Sequence, residues 1–195
     1  MSQALQCFYN GDSANDSGFM QELEDAAIKV HNELGVASAE NRELRGMATT
    51  LTLWIGIWPR AYLVQVGDSR CYSLRNGNLF QMSRDQTMAE EMVEEGVMKR
   101  ADVAGSRLSH VLSSAIGGPQ AAPVVRRMQQ EWESVELICS DGLTRHVSDD
   151  RIRERLLTMT SARQACEALL QDALDEGGRD NITIIVGRKI PAEKR

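Results

Sequence analysis

The sequence predicts an α+β fold built on antiparallel sheets, and three observations predict it. Strand-like segments are grouped between residues 49 and 82, where short turns separate them. Two helical patterns stand between the last two strand-like segments. Most connections are of the hairpin type, which joins antiparallel neighbours. At 195 residues the chain is long enough to bury one core, so we expect a single domain over residues 1–195.

The first half of the chain predicts one helix followed by four strands. Residues 1–17 are polar and aperiodic, with a turn at Asn10-Gly11-Asp12-Ser13. Apolar residues then recur at helical spacing from Phe19 to Leu34, and Gly35 is placed to end that helix. The following segments are rich in β-branched and aromatic residues, and the turn Asn76-Gly77 predicts a hairpin between the last two. The predicted strands are 49–58, 61–66, 70–75 and 79–82.

The second half begins with a helix and an irregular segment. Thr87 with Glu90 three residues later forms a capping box, and the acidic residues of this helix are expected on a solvated face. From Lys99 to Gly118 the pattern is irregular and the residues are small or polar, which predicts a surface flap and not a core element. Ser148 and the pair Ser161/Gln164 mark the starts of two later helices. The remaining predicted elements are strands 123–128, 134–139 and 181–188 and helices 149–157 and 162–174.

Composition excludes several classes of function. The formal net charge of −6 argues against nucleic acid as a partner, because phosphate backbones attract basic faces. No apolar run approaches the roughly 20 residues that cross a bilayer, and the N-terminus has no secretory pattern. The four cysteines are far apart and form no CxxC pair, so we expect reduced thiols and no zinc cluster. We therefore expect a cytoplasmic protein that binds neither nucleic acid nor membrane.

Two aspartates at the ends of apolar runs predict a metal site. Asp141 follows the run 135–139, and Asp180 precedes the run 182–186. If these runs are neighbouring strands, both carboxylates converge at one end of a sheet. Carboxylate oxygens suit Mg²⁺ or Mn²⁺, and such ions activate water for attack on phosphate. The alternative for either residue alone is a turn aspartate without a ligand.

Six short motifs occur in order and together resemble the bacterial branch of the protein phosphatase 2C family, the metal-dependent Ser/Thr protein phosphatases. Each motif is weak by itself, whereas their order and spacing over about residues 20–188 are specific. The motifs are Gly46-Met47-Ala48-Thr49-Thr50-Leu51, Val66-Gly67-Asp68-Ser69-Arg70, Ser83-Arg84-Asp85, Ser114-Ala115-Ile116-Gly117-Gly118, Ser140-Asp141-Gly142-Leu143-Thr144 and Gly178-Arg179-Asp180-Asn181-Ile182-Thr183.

The resemblance implies a sandwich of two antiparallel sheets flanked by helices, with two Mn²⁺ or Mg²⁺ ions as cofactors. By it, Asp141 and Asp180 match catalytic metal-ligand aspartates, and Asp85 matches a position that helps to hold a weaker third metal. The alternative for Asp85 is a charge that complements the dipole of the following helix. The implied substrate is phosphoserine or phosphothreonine on a protein, selected by the flap 86–118.

Two departures from the family pattern bear on activity. The sequence lacks the early strands and the Asp-Gly-x-Gly-Gly turn whose aspartate bridges the metals, and Asp12 or Asp16 is the alternative source of that carboxylate. The residue after Asp85, usually histidine in the family, is Gln86. Two carboxylates alone suit one hydrated ion better than a close pair of mutually repelling ions. We therefore expect a phosphatase with activity impaired by missing ligands; the alternative is a non-catalytic pseudophosphatase that binds a partner protein.

Overall fold

The computed structural model describes residues 16–190, which form five α-helices, seven strands and three short 3-10 helices. The 3-10 helices cover Arg42–Leu44, Arg100–Asp102 and Arg107–His110. The other elements, in chain order, are α1 (Asp16–Glu40), β1 (Leu51–Ile57), β2 (Arg60–Val66), β3 (Arg70–Arg75), β4 (Asn78–Gln81), α2 (Met88–Glu94), β5 (Val124–Gln129), β6 (Val135–Cys139), α3 (Asp141–Thr144), α4 (Asp149–Leu157), α5 (Ala162–Asp175) and β7 (Ile184–Arg188).

The chain divides into two compact units. The first comprises Met1–Gly67 and Asp85–Gln129, and the second comprises Asp68–Arg84 and Gln130–Arg195. In the first unit, β2 lies between β1 and β5 in an antiparallel three-stranded sheet. Helix α1 packs on this sheet through buried apolar residues spaced one turn apart. This core consists of Phe19, Leu23, Ala27, Tyr62 and Val64.

Asp16 fastens the start of α1 to the same sheet. Its carboxylate accepts a hydrogen bond from the Tyr62 hydroxyl at 2.6 Å, forms an ion pair with Arg127 Nε at 3.0 Å, and pairs with Arg60. The Tyr62 hydrogen bond is the largest influence that lowers the pKa of Asp16. A negative charge in the first turn also suits the helix dipole.

The second unit contains an antiparallel sheet in the order β4-β3-β6-β7. Helices α4 and α5 cover one face of it with a buried apolar cluster that includes Leu137, Ile152 and Leu169. Because β6 and β7 are antiparallel neighbours with Cys139 opposite Ile184, the end of β6 and the start of β7 lie at the same edge. Asp141 and Asp180 therefore belong to segments that meet at one edge of this sheet.

The α+β fold class with antiparallel sheets is confirmed, and several local signals behave as predicted. Asn76 and Gly77 both have positive φ, as a tight two-residue hairpin requires. The predicted side-chain caps form at Thr87, Ser148 and Ser161, each of which accepts a hydrogen bond from the backbone three residues later. The turn predicted at residues 10–13 lies outside the described residues, and the single domain stays a prediction.

The structure corrects three sequence predictions in detail and adds one short helix. Helix α1 continues through Gly35 to Glu40, because one interior glycine costs only about 1 kcal/mol relative to alanine. Glu90 is buried, and its two carboxylate oxygens lie 2.5 and 2.6 Å from Nη1 of Arg100. Glu90 therefore does not lie on a solvated face. The short helix α3 was not predicted, and β7 begins at residue 184 instead of 181. Within residues 16–190 no helix has the length and apolar character to span a bilayer.

Candidate metal centre

Ser140 extends the contact between β6 and β7 beyond their last paired residues. Its backbone N–H donates to the Thr183 carbonyl at 3.1 Å, and its hydroxyl accepts from the Thr183 N–H at 3.0 Å. The same hydroxyl donates to the Asn181 carbonyl at 3.1 Å. These three hydrogen bonds hold the residue before Asp141 against the residues after Asp180.

Gly142 lets the first turn of α3 approach the Asp180 segment closely. A Cβ at this position would overlap the carbonyl oxygen of Asn181 and come within 3.0 Å of its carbonyl carbon. Gly142 does not have a positive φ, so the glycine is required by the close approach and not by its own backbone conformation. The absent side chain sets the spacing between the two aspartate-bearing segments.

Arg145 joins the two aspartates directly. It lies four residues after Asp141, one helical turn away, and its Nη2 pairs with Asp141 Oδ2. Its Nη1 lies 3.0 Å from Asp180 Oδ2. The other oxygen of Asp180 accepts the N–H of Asn181 at 2.8 Å. Both carboxylates therefore converge on a single cationic group at the sheet edge.

His146 forms a second link between α3 and the loop before β7. Its Nδ1 donates to the Gly142 carbonyl at 2.9 Å, and its Nε2 accepts from the Arg179 N–H at 3.4 Å. In this arrangement the ring proton is on Nδ1. The imidazole thus links the same two segments that Ser140 and Gly142 hold together.

The donor set at this edge fits a divalent ion. Two carboxylates from separate segments already share one cation, and hard ions such as Mg²⁺ and Mn²⁺ take carboxylate oxygens and complete their coordination with water. Between residues 16 and 190 no cluster of three or more histidine, cysteine, aspartate or glutamate side chains is arranged to hold a metal. The described residues thus suit one hydrated ion held by Asp141 and Asp180.

Asp85, the third predicted ligand, lies in the first unit between β4 and α2, and its part in metal binding stays a prediction. The neighbouring Gln86 has a clear structural role. Its Oε1 accepts the Gly67 N–H at 2.7 Å, and its Nε2 donates to the Ala122 carbonyl at 2.7 Å. Its backbone N–H and carbonyl bond to Gly67 and Ser113. Gln86 therefore holds the turn after β2 to both ends of the flap.

Sequence reasoning identified the two aspartates but missed the residues that bring them together. Arg145 carried a usable signal, because an arginine four residues after an aspartate forms a pair once the segment is helical. The roles of Ser140, Gly142 and His146 depend on contacts more than 30 residues apart in the chain, which no local pattern reports.

Relatives with curated names are bacterial phosphatases. No protein-family model matches the chain. The chain is 34% identical over 176 residues to the serine/threonine protein phosphatase PstP of Mycobacterium tuberculosis, which covers 90% of this chain and 34% of that protein. It is 28% identical over 165 residues to the serine/threonine phosphatase stp of Listeria monocytogenes, and this match covers 84% of this chain and 66% of that protein. The chain thus spans about a third of the first relative and slightly under two thirds of the second.

Solved structures agree with the sequence similarity. The M. tuberculosis serine/threonine phosphatase PstP/Ppp superposes with a TM-score of 0.81 and 29% identity over 97% of this chain and 81% of that one. The catalytic domain of PstP in complex with two manganese ions gives a TM-score of 0.77 and 28% identity, covering 96% and 79%. Sequence similarity and fold agree over most of the chain, and together they support its membership of the bacterial branch of the protein phosphatase 2C family.

Proposed function

We propose that this chain hydrolyses phosphoserine and phosphothreonine esters on proteins with the help of divalent metal ions. The observation that carries the proposal is the convergence of Asp141 and Asp180 on one cation at the edge of the second sheet. The relatives named above are Ser/Thr phosphatases, and one solved relative contains two manganese ions, which supports Mn²⁺ as the cofactor. Mg²⁺ is the alternative ion, and two ions are expected from the family.

Some residues of this chain would bind the metal ion, and others position the two segments that carry the metal ligands. Asp141 and Asp180 would hold the ion through carboxylate oxygens. Ser140 and Gly142 set the separation of the two segments, and His146 keeps α3 against the loop before β7. When bound, a hard divalent ion lowers the pKa of its water and offsets negative charge on the phosphoryl oxygens.

Substrate and partners follow from the same assignment. The expected partner is a phosphorylated protein, which the flap 86–118 selects. Asp85 is the expected ligand of a further metal ion that binds more weakly. Within the flap, Arg100 is paired with the buried Glu90. The net charge of −6 supports the expectation that nucleic acid is not a partner. A cytoplasmic location without membrane binding remains our expectation.

Hydrolysis of p-nitrophenyl phosphate and of a phosphothreonine peptide tests the proposal. We expect turnover with Mn²⁺ and a loss of about 100-fold or more in kcat/KM for Asp141→Asn and Asp180→Asn, the size typical of removing an electrostatic contributor to the transition state. Asp25→Asn is the matched control, since this exposed aspartate of α1 belongs to the first unit, whereas Asp141 and Asp180 belong to the second.

Three outcomes would contradict the proposal in different ways. No turnover with Mn²⁺ or Mg²⁺ would reject catalysis by this chain and favour the partner-binding pseudophosphatase. Turnover that survives both substitutions would move the active site away from Asp141 and Asp180. Turnover of p-nitrophenyl phosphate but not of phosphopeptides would reject a protein substrate.

A further inference from the structure

Arg145 stands where the proposed metal ion has to bind. Its two terminal nitrogens are divided between two carboxylates, with Nη2 on Asp141 Oδ2 and Nη1 at 3.0 Å from Asp180 Oδ2. An arginine usually presents both arms of its fork to one carboxylate, which is the stronger arrangement. Arg145 therefore satisfies each aspartate in part.

The charge of this cluster is unbalanced, and its members are accessible. Two carboxylates and one guanidinium carry a net charge of −1. Without a cation between them, two neighbouring carboxylates repel each other. The side chains of Arg145, Asp141 and Asp180 are 34%, 27% and 41% exposed, so water reaches all three and the guanidinium can leave into solvent. These are the conditions under which one cation can be exchanged for another.

We propose that Arg145 is an internal counter-cation of the metal centre, which occupies the oxygens of Asp141 and Asp180 in the metal-free protein and competes with the divalent ion for them. This inference rests on the proposed function, because it takes the two aspartates as metal ligands. In the metal-free protein, Arg145 stabilises the sheet edge by pairing with both aspartates. It also weakens the apparent affinity for the ion, because the ion binds only the fraction of molecules in which Arg145 has left the two carboxylates. The residue thereby sets the metal concentration at which the centre fills.

Mn²⁺ binding tests this competition without reference to catalysis. The electron paramagnetic resonance signal of free Mn²⁺ reports its binding to the purified protein and to the variant Arg145→Gln. We expect about tenfold tighter binding in Arg145→Gln, the size expected when a charge-assisted pair no longer has to be broken. Arg145→Lys should bind between the two, because an ammonium cannot bridge both carboxylates as a fork.

Arg163→Gln is the matched control for the change in net charge. Arg163 also forms an i,i+4 ion pair, with Glu167 at 2.8 Å, but on the exposed face of α5. Its removal should leave the affinity for Mn²⁺ at the wild-type value. An equal gain in both variants would overturn the proposal, because it would reflect overall charge instead of competition.

Thermal unfolding supplies a second measurement on the same proteins. In EDTA, Arg145→Gln should unfold at a lower temperature than the wild type, and excess Mn²⁺ should raise its Tm by more than that of the wild type. Mn²⁺ binding by Arg145→Gln that is equal to or weaker than that of the wild type would overturn the inference, as would an absence of binding to every variant. If Arg145→Gln does not fold, affinity of Arg145→Lys at or below the wild-type value overturns it.

The results separate this inference from the proposed function. Tighter Mn²⁺ binding in Arg145→Gln together with a wild-type protein that lacks phosphatase activity would reject the function and keep the competition. Phosphatase activity that depends on Asp141 and Asp180, with unchanged Mn²⁺ affinity in Arg145→Gln, would reject the competition and keep the function.

Discussion

Two clusters of aspartate and arginine in the second unit contain the same residue types but differ in their ratio of positive to negative charges. Asp172 of α5 receives both Arg151 and Arg155 of α4, each through two nitrogens at 2.6 to 3.0 Å. Glu154 lies 2.8 Å from the remaining nitrogen of Arg151, so two positive and two negative charges balance. At the sheet edge, by contrast, Asp141 and Asp180 share one guanidinium.

The difference lies in the ratio of charges and in burial. The Asp172 side chain is only 12% exposed, and its pKa is lowered to about 2, first by the hydrogen bonds from Arg155. That cluster is electrically complete and joins α4 to α5. The edge cluster has one negative charge in excess and is open to solvent. The two clusters therefore share their residue types and differ in the balance of charge and in the access of water.

Gly142→Ala should break the edge cluster with the largest effect. The added Cβ would overlap the Asn181 carbonyl, so α3 must move away from the Asp180 segment and separate the two carboxylates. We expect Mn²⁺ affinity and kcat/KM to fall about 100-fold, as misplacement by about 1 Å can do. Gly35→Ala in α1 is the control, because nothing lies within 4 Å of its Cβ. Wild-type Mn²⁺ binding by Gly142→Ala would show that the close approach is not needed.

Asp172→Asn should break the balanced cluster and leave the edge cluster intact. Removing one carboxylate leaves two guanidiniums without their main acceptor, and we expect a loss of about 2 kcal/mol in the free energy of unfolding. Urea denaturation measures this loss, with Asp175→Asn as the control. Mn²⁺ affinity should not change. A fall in affinity comparable to that of Asp141→Asn would show that the two clusters are not independent.

Acid should reveal the balanced cluster through the titration of Asp172. Its carboxyl has a pKa of about 2 in the folded protein against an ordinary value of 3.8, so its contribution to stability is complete above the ordinary value and disappears as pH falls towards 2. The difference in unfolding free energy between wild type and Asp172→Asn should be constant from pH 5 to pH 7 and shrink below pH 4. A difference that persists undiminished at pH 2 would contradict the ion-pair interpretation.

Ser140→Ala should have the smallest effect and so tests how finely the edge is set. The substitution removes the hydroxyl hydrogen bonds to Thr183 and Asn181 but keeps the backbone pairing. We expect a loss of about 1 kcal/mol in the free energy of unfolding, because this edge is exposed and water replaces part of the lost bonding. Mn²⁺ titration should show a correspondingly modest weakening. No change in either measurement would assign the spacing to Gly142 and the backbone alone.

Signals that act over a few residues were the ones the sequence predicted well. The caps at Thr87, Ser148 and Ser161 and the hairpin at Asn76-Gly77 involve neighbours within three residues, and all are present. The convergence of the two aspartates was predicted on the condition that their apolar runs are neighbouring strands, and β6 and β7 meet that condition.

Contacts between distant residues account for what was not predicted. Burial of Glu90 depends on Arg100 folding back from the next segment of the flap, and α3 forms where the chain turns at the sheet edge. Arg145 reaches Asp180 across 35 positions. A residue pattern records the chemistry of each side chain, whereas the partner of a partly exposed charge is decided by the tertiary fold.

Gln86 has a consequence for how this protein can diversify. All four of its hydrogen bonds go to backbone groups, at Gly67, Ser113 and Ala122, so this attachment needs the side chain of Gln86 but not the side chains of its three partners. Residues between these anchor points can therefore be replaced over evolutionary time, or in a randomised library, while the ends of the segment stay fastened. The chain can acquire new recognition surfaces there at little risk to the rest of the first unit.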